Sequence, residues 1–226
     1  MNLETAARLT EVLLALALIQ QSLEHLRAGR SERVLFGART ALCLLLIVGI
    51  APPWPLAALA GLSLAILWRF QGPYNGGSDR MGLLALWCLT LSRLMPALPW
   101  REVIFGYLGV QLVLSYVISG GVKLANPDWR SGRALGDVFR FSAYPVSEDL
   151  RRWADRPRVL LAMSWAVIAF ELAFPLTLLS RETLIVGLGI AASFHLANAA
   201  LFGLNRFFWT WLAVYPAILW LQDRLF

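Results

Sequence analysis

The sequence predicts an all-α fold: a polytopic transmembrane helical bundle of seven or eight membrane helices with one amphipathic cytoplasmic or interfacial connection. Three observations predict it. Apolar residues make up 58% of the 226 residues and charged residues only 15%, whereas an ordinary soluble domain is roughly half apolar and a quarter charged. The excess comes in blocks close to the roughly 20 residues that a helix needs to cross a bilayer. Trp54, Trp68, Trp100, Trp129 and Trp153 fall at block edges, where amphipathic rings favour the membrane interface.

Taken in order, spans are expected at about 6–26, 34–51, 55–70, 80–98, 102–123, 158–179, 183–203 and 205–222. The first is marked by Glu4, Arg8 and Glu11, whose spacings of four and three are helical pairing distances. It either spans or lies in the interface. The third is short and opens after "APPWP", where prolines suit a helix start. Before the fourth, "PYNGGSDRMG" (73–82) reads as a turn at Asn75 followed by an N-cap from Ser78 or Asp79, which sets Asp79 at a membrane mouth. No internal repeat is evident, so residues 1–226 read as a single transmembrane domain. Cys43 and Cys88 both lie inside apolar blocks and are expected to be small buried hydrophobes. Without a CxxC or a Cys/His cluster, no metal site is expected. The N-terminus has no signal-peptide pattern, being interrupted by charge with no small-residue cleavage site after it.

The formal net charge of +6 reads as arginine-rich loops facing anionic lipid, not as a nucleic-acid surface. Fifteen of the 20 basic residues fall in the connections near 27–39, 69–80, 123–158 and 204–206, and five fall on the other side. The excess assigns the first set to the cytoplasm. Eight of the fifteen come from the connection near 123–158, whose amphipathic part at about 124–157 is the only sizeable extramembrane segment. Within it, "SGRALGDVFRF" and "SEDLRRWADR" look like short amphipathic helices. Ser147 before "ED" is an N-cap with acids in the first turn. The connection is either a solvated, headgroup-bound face or a lid over a membrane cavity.

Polar residues inside the apolar blocks are costly and call for a reason. In the fifth, Gln111, Ser115, Ser119 and Lys123 recur every four residues, forming one slowly winding polar stripe bordered by Tyr116. Lys123 is the only lysine in the chain. The stripe either makes interhelical hydrogen bonds while Lys123 snorkels to the headgroups, or it is a cavity wall that ends in the lysine. Gly120 and Gly121 beside it allow close backbone approach. In "IAFELAFPL", Glu171 sits near mid-span, four residues before Pro175, and is expected to be protonated or paired. In "ASFHLANAALF", His195 and Asn198 share one helix face by their spacing of three.

Together these stretches resemble a known family. "YVISGGVKLANPDWRSGRAL" is similar to the tyrosine–small–glycine–lysine–leucine, then tryptophan–x–x–glycine signature of the HTTM (horizontally transferred transmembrane) domain, shared with the membrane part of vitamin K-dependent γ-carboxylase. "NGGSDRM", "FELAFPL" and "FHLANAALFGL" resemble further landmarks in the same order, so that the likeness covers about 65–222. The resemblance implies a reduced quinone or vitamin K-like lipid as cofactor. It gives Lys123 the role of the base that deprotonates the hydroquinone, and His195 that of an assisting catalytic group. Gln111, Ser115, Tyr116, Ser119, Glu171, Asn198 and Asp79 would then line the pocket. Two departures argue against protein γ-carboxylation: no histidine occurs in "NGGSDR", and the large soluble domain of the carboxylase is not expected here. The leading expectation is a quinone-linked oxidoreductase or epoxidase-type enzyme of the membrane, in a bacterial cytoplasmic membrane. Two alternatives stand beside it: a non-catalytic membrane component that serves maturation or export of a peptide partner, and a small quinone-linked subunit of the DoxX type.

Overall fold

The computed structural model describes residues 1–26, 29–69, 76–142 and 147–225. All regular structure among them is helical. Helix α1 (Leu3–His25) starts where the Asn2 side chain accepts from the Thr5 amide at 2.8 Å. Helix α2 (Arg30–Val48) stops at Gly49, whose φ of 85° gives the left-handed turn that ends many helices. Next come α3 (Pro53–Arg69), opened by prolines as expected, α4 (Gly77–Leu94) and α5 (Leu98–Ala125). After α5 the chain forms a single turn α6 (Pro127–Arg130), α7 (Arg133–Phe141) and a 3-10 segment (Glu148–Asp155), and then α8 (Pro157–Ala173), α9 (Arg181–Phe202) and α10 (Asn205–Leu225). Among the described residues, three helices are long and apolar enough to cross a membrane: α5, α8 with its 3-10 extension to Leu179, and α9.

The residues divide into two compact units, one of 1–110 with 209–225 and one of 111–208. In the first, α1 packs on α2, α2 on α3, α3 on α4 and α4 back on α1, closing a ring of four helices. Buried charge ties one end of it. Glu11 is fully buried and accepts from Arg93 at 2.6 Å and from Arg8 at 3.2 Å. Arg8 also donates to the Leu46 and Ile47 carbonyls, satisfying the open end of α2. In the same unit the first half of α5 meets α10 through small residues. A Cβ on Gly109 would stand 3.0 Å from the Ala217 carbonyl oxygen, the close approach by which membrane helices pack without a hydrophobic driving force.

In the second unit Leu135, Phe139, Leu160 and Phe202 form a core, with Leu150 and Trp153 of the 3-10 segment against it. It gathers the amphipathic connection, the start of α8 and the end of α9. Gly132 makes the turn into α7 with φ 78°, and a Cβ there would lie 2.8 Å from the Leu161 amide nitrogen. Gly132→Ala is expected to cost at least about 1–2 kcal/mol from the left-handed backbone alone. A thermal unfolding scan in detergent checks it, and an unchanged midpoint contradicts it.

The two short amphipathic elements expected in the connection are present, and Ser147 caps the second by accepting from the Asp149 amide at 3.2 Å. There Arg151 donates to Glu148 at 2.6 Å and holds its carboxyl below the usual range. Other expectations need correction. Ser78 and Asp79 do not cap α4: the N-cap is Gly76, without a side-chain bond, and both lie inside the first turn. Arg39 is not a loop charge. It lies within α2, 3% exposed, donating to Ser22 at 2.7 Å above the Phe36 ring, so it does not count towards the arginine excess that oriented the chain. The sixth expected span is not one continuous α-helix. Pro175 lacks an N–H and its ring opposes the carbonyl four residues back, so α8 gives way at Phe174 to a 3-10 segment (Phe174–Leu179). The turn expected at Asn75 lies outside the described residues.

Candidate functional site

The site is built on the second half of α5, where Tyr116, Ser119 and Lys123 follow one another at spacings of three and four. Positions i, i+3 and i+7 stay on one side of an α-helix, so the three share a face. Lys123 Nζ donates to Ser119 Oγ at 2.5 Å and to both carboxylate oxygens of Glu171, at 2.9 and 2.8 Å. Ser119 Oγ donates in turn to Glu171 Oε1 at 3.1 Å. The Lys123 side chain is 15% exposed and that of Glu171 4%. Glu171 reaches this position because Gly120 lets α8 come close: a Cβ on Gly120 would meet Glu171 Cβ and Leu172 Cγ at 3.0 Å, whereas one on Gly121 would meet nothing within 4 Å. Gly120→Val is therefore expected to overpack the contact by about 1–3 kcal/mol. Gly121→Ala serves as the near-neutral control in the same unfolding assay; equal effects at both positions contradict the packing account.

Trp129 covers the amine, with Lys123 Nζ 5.2 Å from its ring centroid, within cation–π range. The ring is held by the α6 turn. Asn126 caps that turn through the Asp128 amide at 2.9 Å. Ser164 Oγ donates to the Trp129 carbonyl at 2.5 Å, and Trp165 Nε1 to the Arg130 carbonyl at 3.1 Å, pinning α6 to α8.

One turn back along α5, the Tyr116 hydroxyl and His195 Nε2 share a hydrogen bond of 2.9 Å. Both side chains are buried, among Phe170, Phe174 and Phe194. The arrangement thus has two linked parts on one helix face: an amine–carboxylate–hydroxyl cluster, and a phenol–imidazole pair in an aromatic cage. The first has the chemistry to hold a proton between an amine and a carboxylate, and the second to pass one between a phenol and an imidazole.

The other expected residues are placed differently. Ser115 Oγ turns back to the Leu112 carbonyl at 2.6 Å. Gln111 is half-buried and makes no side-chain hydrogen bond to a described residue. The reason is geometric: each step of four advances about 40° around the helix, so Gln111 and Lys123 differ by about 120°. The upper half of the stripe therefore does not share the Lys123 face. Asn198 is half-buried one turn beyond the buried His195. Asp79 belongs to the other unit, where it accepts from Gln21 at 2.8 Å. Sequence reasoning missed Trp129 as a partner of Lys123, because its place at a block edge already had an interfacial explanation. It also missed the phenylalanine cage, which in an apolar block carries no signal of its own.

The HTTM domain profile matches residues 96–222, from the start of α5 into α10. The chain belongs to the HTTM domain family. The matched region contains every residue of the site just described, and it leaves α1 to α4 and the "NGGSDRM" stretch outside. No curated protein and no solved structure matches the chain. Membership of the HTTM family and the three span-length helices identify an integral membrane protein.

Proposed function

We propose that this HTTM protein spans the membrane with seven or eight helices as one embedded domain, in a bacterial cytoplasmic membrane, and acts on a quinone-like or vitamin K-like lipid with Lys123 as base. The observation that carries this reading is the Lys123–Glu171–Ser119 cluster, one turn along α5 from the Tyr116–His195 pair. A buried lysine and carboxylate in contact are a structural expense, and intramembrane ionisable groups mark proton-handling sites more often than ornament. The donor set fits a quinol: an amine that takes a hydroxyl proton once its ammonium has passed one to Glu171, a phenol–imidazole pair to donate to an oxygen, and aromatic rings around them. A bound lipid of this kind would supply the redox chemistry. The chain's own residues would position its polar ring and move protons. Glu171 and Ser119 hold the amine of Lys123 in place, and Trp129 keeps water from it. Gln111, Ser115 and Asn198 are left as outer contributors.

A second reading is favoured by one observation: the amine is saturated by Ser119, Glu171 and the Trp129 ring. In that reading the cluster pins α5 to α8, and the protein is a non-catalytic membrane component serving a peptide partner. Mass spectrometry of lipid extracted from purified protein separates the two. The first reading expects a quinone-type lipid in the wild type and its loss from Lys123→Ala. A wild type free of such lipid sinks it.

A further inference from the structure

The geometry points to a phospholipid headgroup site, specific for a headgroup that carries both a phosphate and a primary ammonium, in the pocket between α7 and the start of α8. The pocket has a volume of about 420 Å³ and is lined on its polar side by Ser131, Arg133, Asp137 and Arg140, with an apolar floor from Ala154 and Leu160. Its place at a membrane surface follows from the connection itself, which joins the end of α5 to the start of α8, two span-length helices. The core under α7 includes Phe202 at the end of α9, the third such helix. The outer edge of α7 exposes Val138 and Phe141, the amphipathic pattern of a helix lying in the interface.

The charges select the ligand. Arg133, Asp137 and Arg140 stand at spacings of four and three on one face of α7. Arg133 pairs with Asp128 at 2.7 Å and Arg140 with Asp155 at 3.6 Å, while the Asp137 charge acts on Arg133 without a hydrogen bond between them. Their side chains remain 68% and 51% exposed, and such exposed pairs exchange readily for a stronger partner. A phosphate offers the guanidinium fork bidentate acceptors. Half-buried Asp137 makes no side-chain hydrogen bond or ion pair with a described residue. A purely anionic ligand would be repelled by it. A phosphate flanked by a primary ammonium satisfies the arginines and the aspartate together. A quaternary ammonium cannot donate a hydrogen bond to the carboxylate and fits less well.

Native mass spectrometry of the full chain in detergent, titrated with phosphatidylethanolamine, phosphatidylcholine and phosphatidylglycerol of identical acyl chains, tests this. Wild type is expected to hold the ethanolamine lipid about fivefold more tightly than the choline lipid, the size of one partly exposed ion pair. Asp137→Asn is expected to erase that preference without weakening the glycerol lipid, and the double variant Arg133→Gln/Arg140→Gln to weaken all three. The proposal is overturned if wild type binds ethanolamine and choline lipids alike, if it prefers the glycerol lipid, or if Asp137→Asn keeps the ethanolamine preference. The wild-type comparison decides the matter even if a variant does not fold.

Discussion

Glu171→Leu is expected to destabilise the protein by about 3–5 kcal/mol, the cost of leaving one member of a buried ion pair without its partner. Lys123 has nowhere else to go. Its amine lies between Ser119, Glu171 and the Trp129 ring, and one serine hydroxyl cannot balance a charge that is 15% exposed. The double variant Lys123→Met/Glu171→Leu is expected to recover most of that loss, because replacing both partners by apolar groups of similar volume is often neutral or stabilising. Thermal unfolding in detergent of wild type, the single variant and the double variant measures both numbers. A single variant as stable as wild type would show that the pair bears no charge coupling. A double variant as unstable as the single one would show that packing against Gly120, not charge, governs the contact.

The second large effect is expected at the other buried carboxylate. Glu11→Ala leaves Arg8 and Arg93 without their shared acceptor inside the four-helix ring and should cost about 3–5 kcal/mol. The informative comparison is Glu4, which also pairs with two arginines, with Arg93 at 2.5 Å and with Arg101. Its side chain is 56% exposed, however, while that of Glu11 is 0% exposed. Glu4→Ala should therefore cost no more than about 1 kcal/mol, as surface pairs do. The two carboxylates have the same number of arginine partners and differ in burial. Equal unfolding shifts for the two variants would refute burial as the deciding variable.

The helices were legible in the sequence because apolar blocks and their punctuation are local signals. Prolines at the start of α3 and Ser147 before the 3-10 segment mark those boundaries within a few residues. The break in α8 was half legible: Pro175 was visible, but whether a proline kinks a helix or converts it to a 3-10 turn depends on packing. Arg39 was misjudged because a linear charge count cannot tell a loop arginine from one folded under Ser22 and Phe36. At the site, the spacing on α5 placed Ser119 and Lys123 on one face, and the two side chains are hydrogen-bonded. It also drew in Gln111 and Ser115, because a four-residue stripe winds off the face it starts on. Contacts of Lys123 with Glu171, and of Tyr116 with His195, span 48 and 79 residues of sequence. No periodicity reports such pairings; the family resemblance named the residues, and only the packing of α5, α8 and α9 supplied the partners.

Lys123 is the sole lysine, so an amine-reactive acylating reagent reports on it alone, with the Met1 amine, paired to Asp223 at 2.5 Å, as an internal control. The central claim is that the Lys123 amine meets a quinol-type ligand. The most direct measurement is the rate of Lys123 acylation in purified protein, followed by peptide mass spectrometry, as a short-chain quinol is titrated in. The account predicts slow but measurable labelling that the quinol suppresses in a saturable way, with labelling of Met1 unchanged. A Lys123 that never labels, or that labels equally at every quinol concentration, contradicts it.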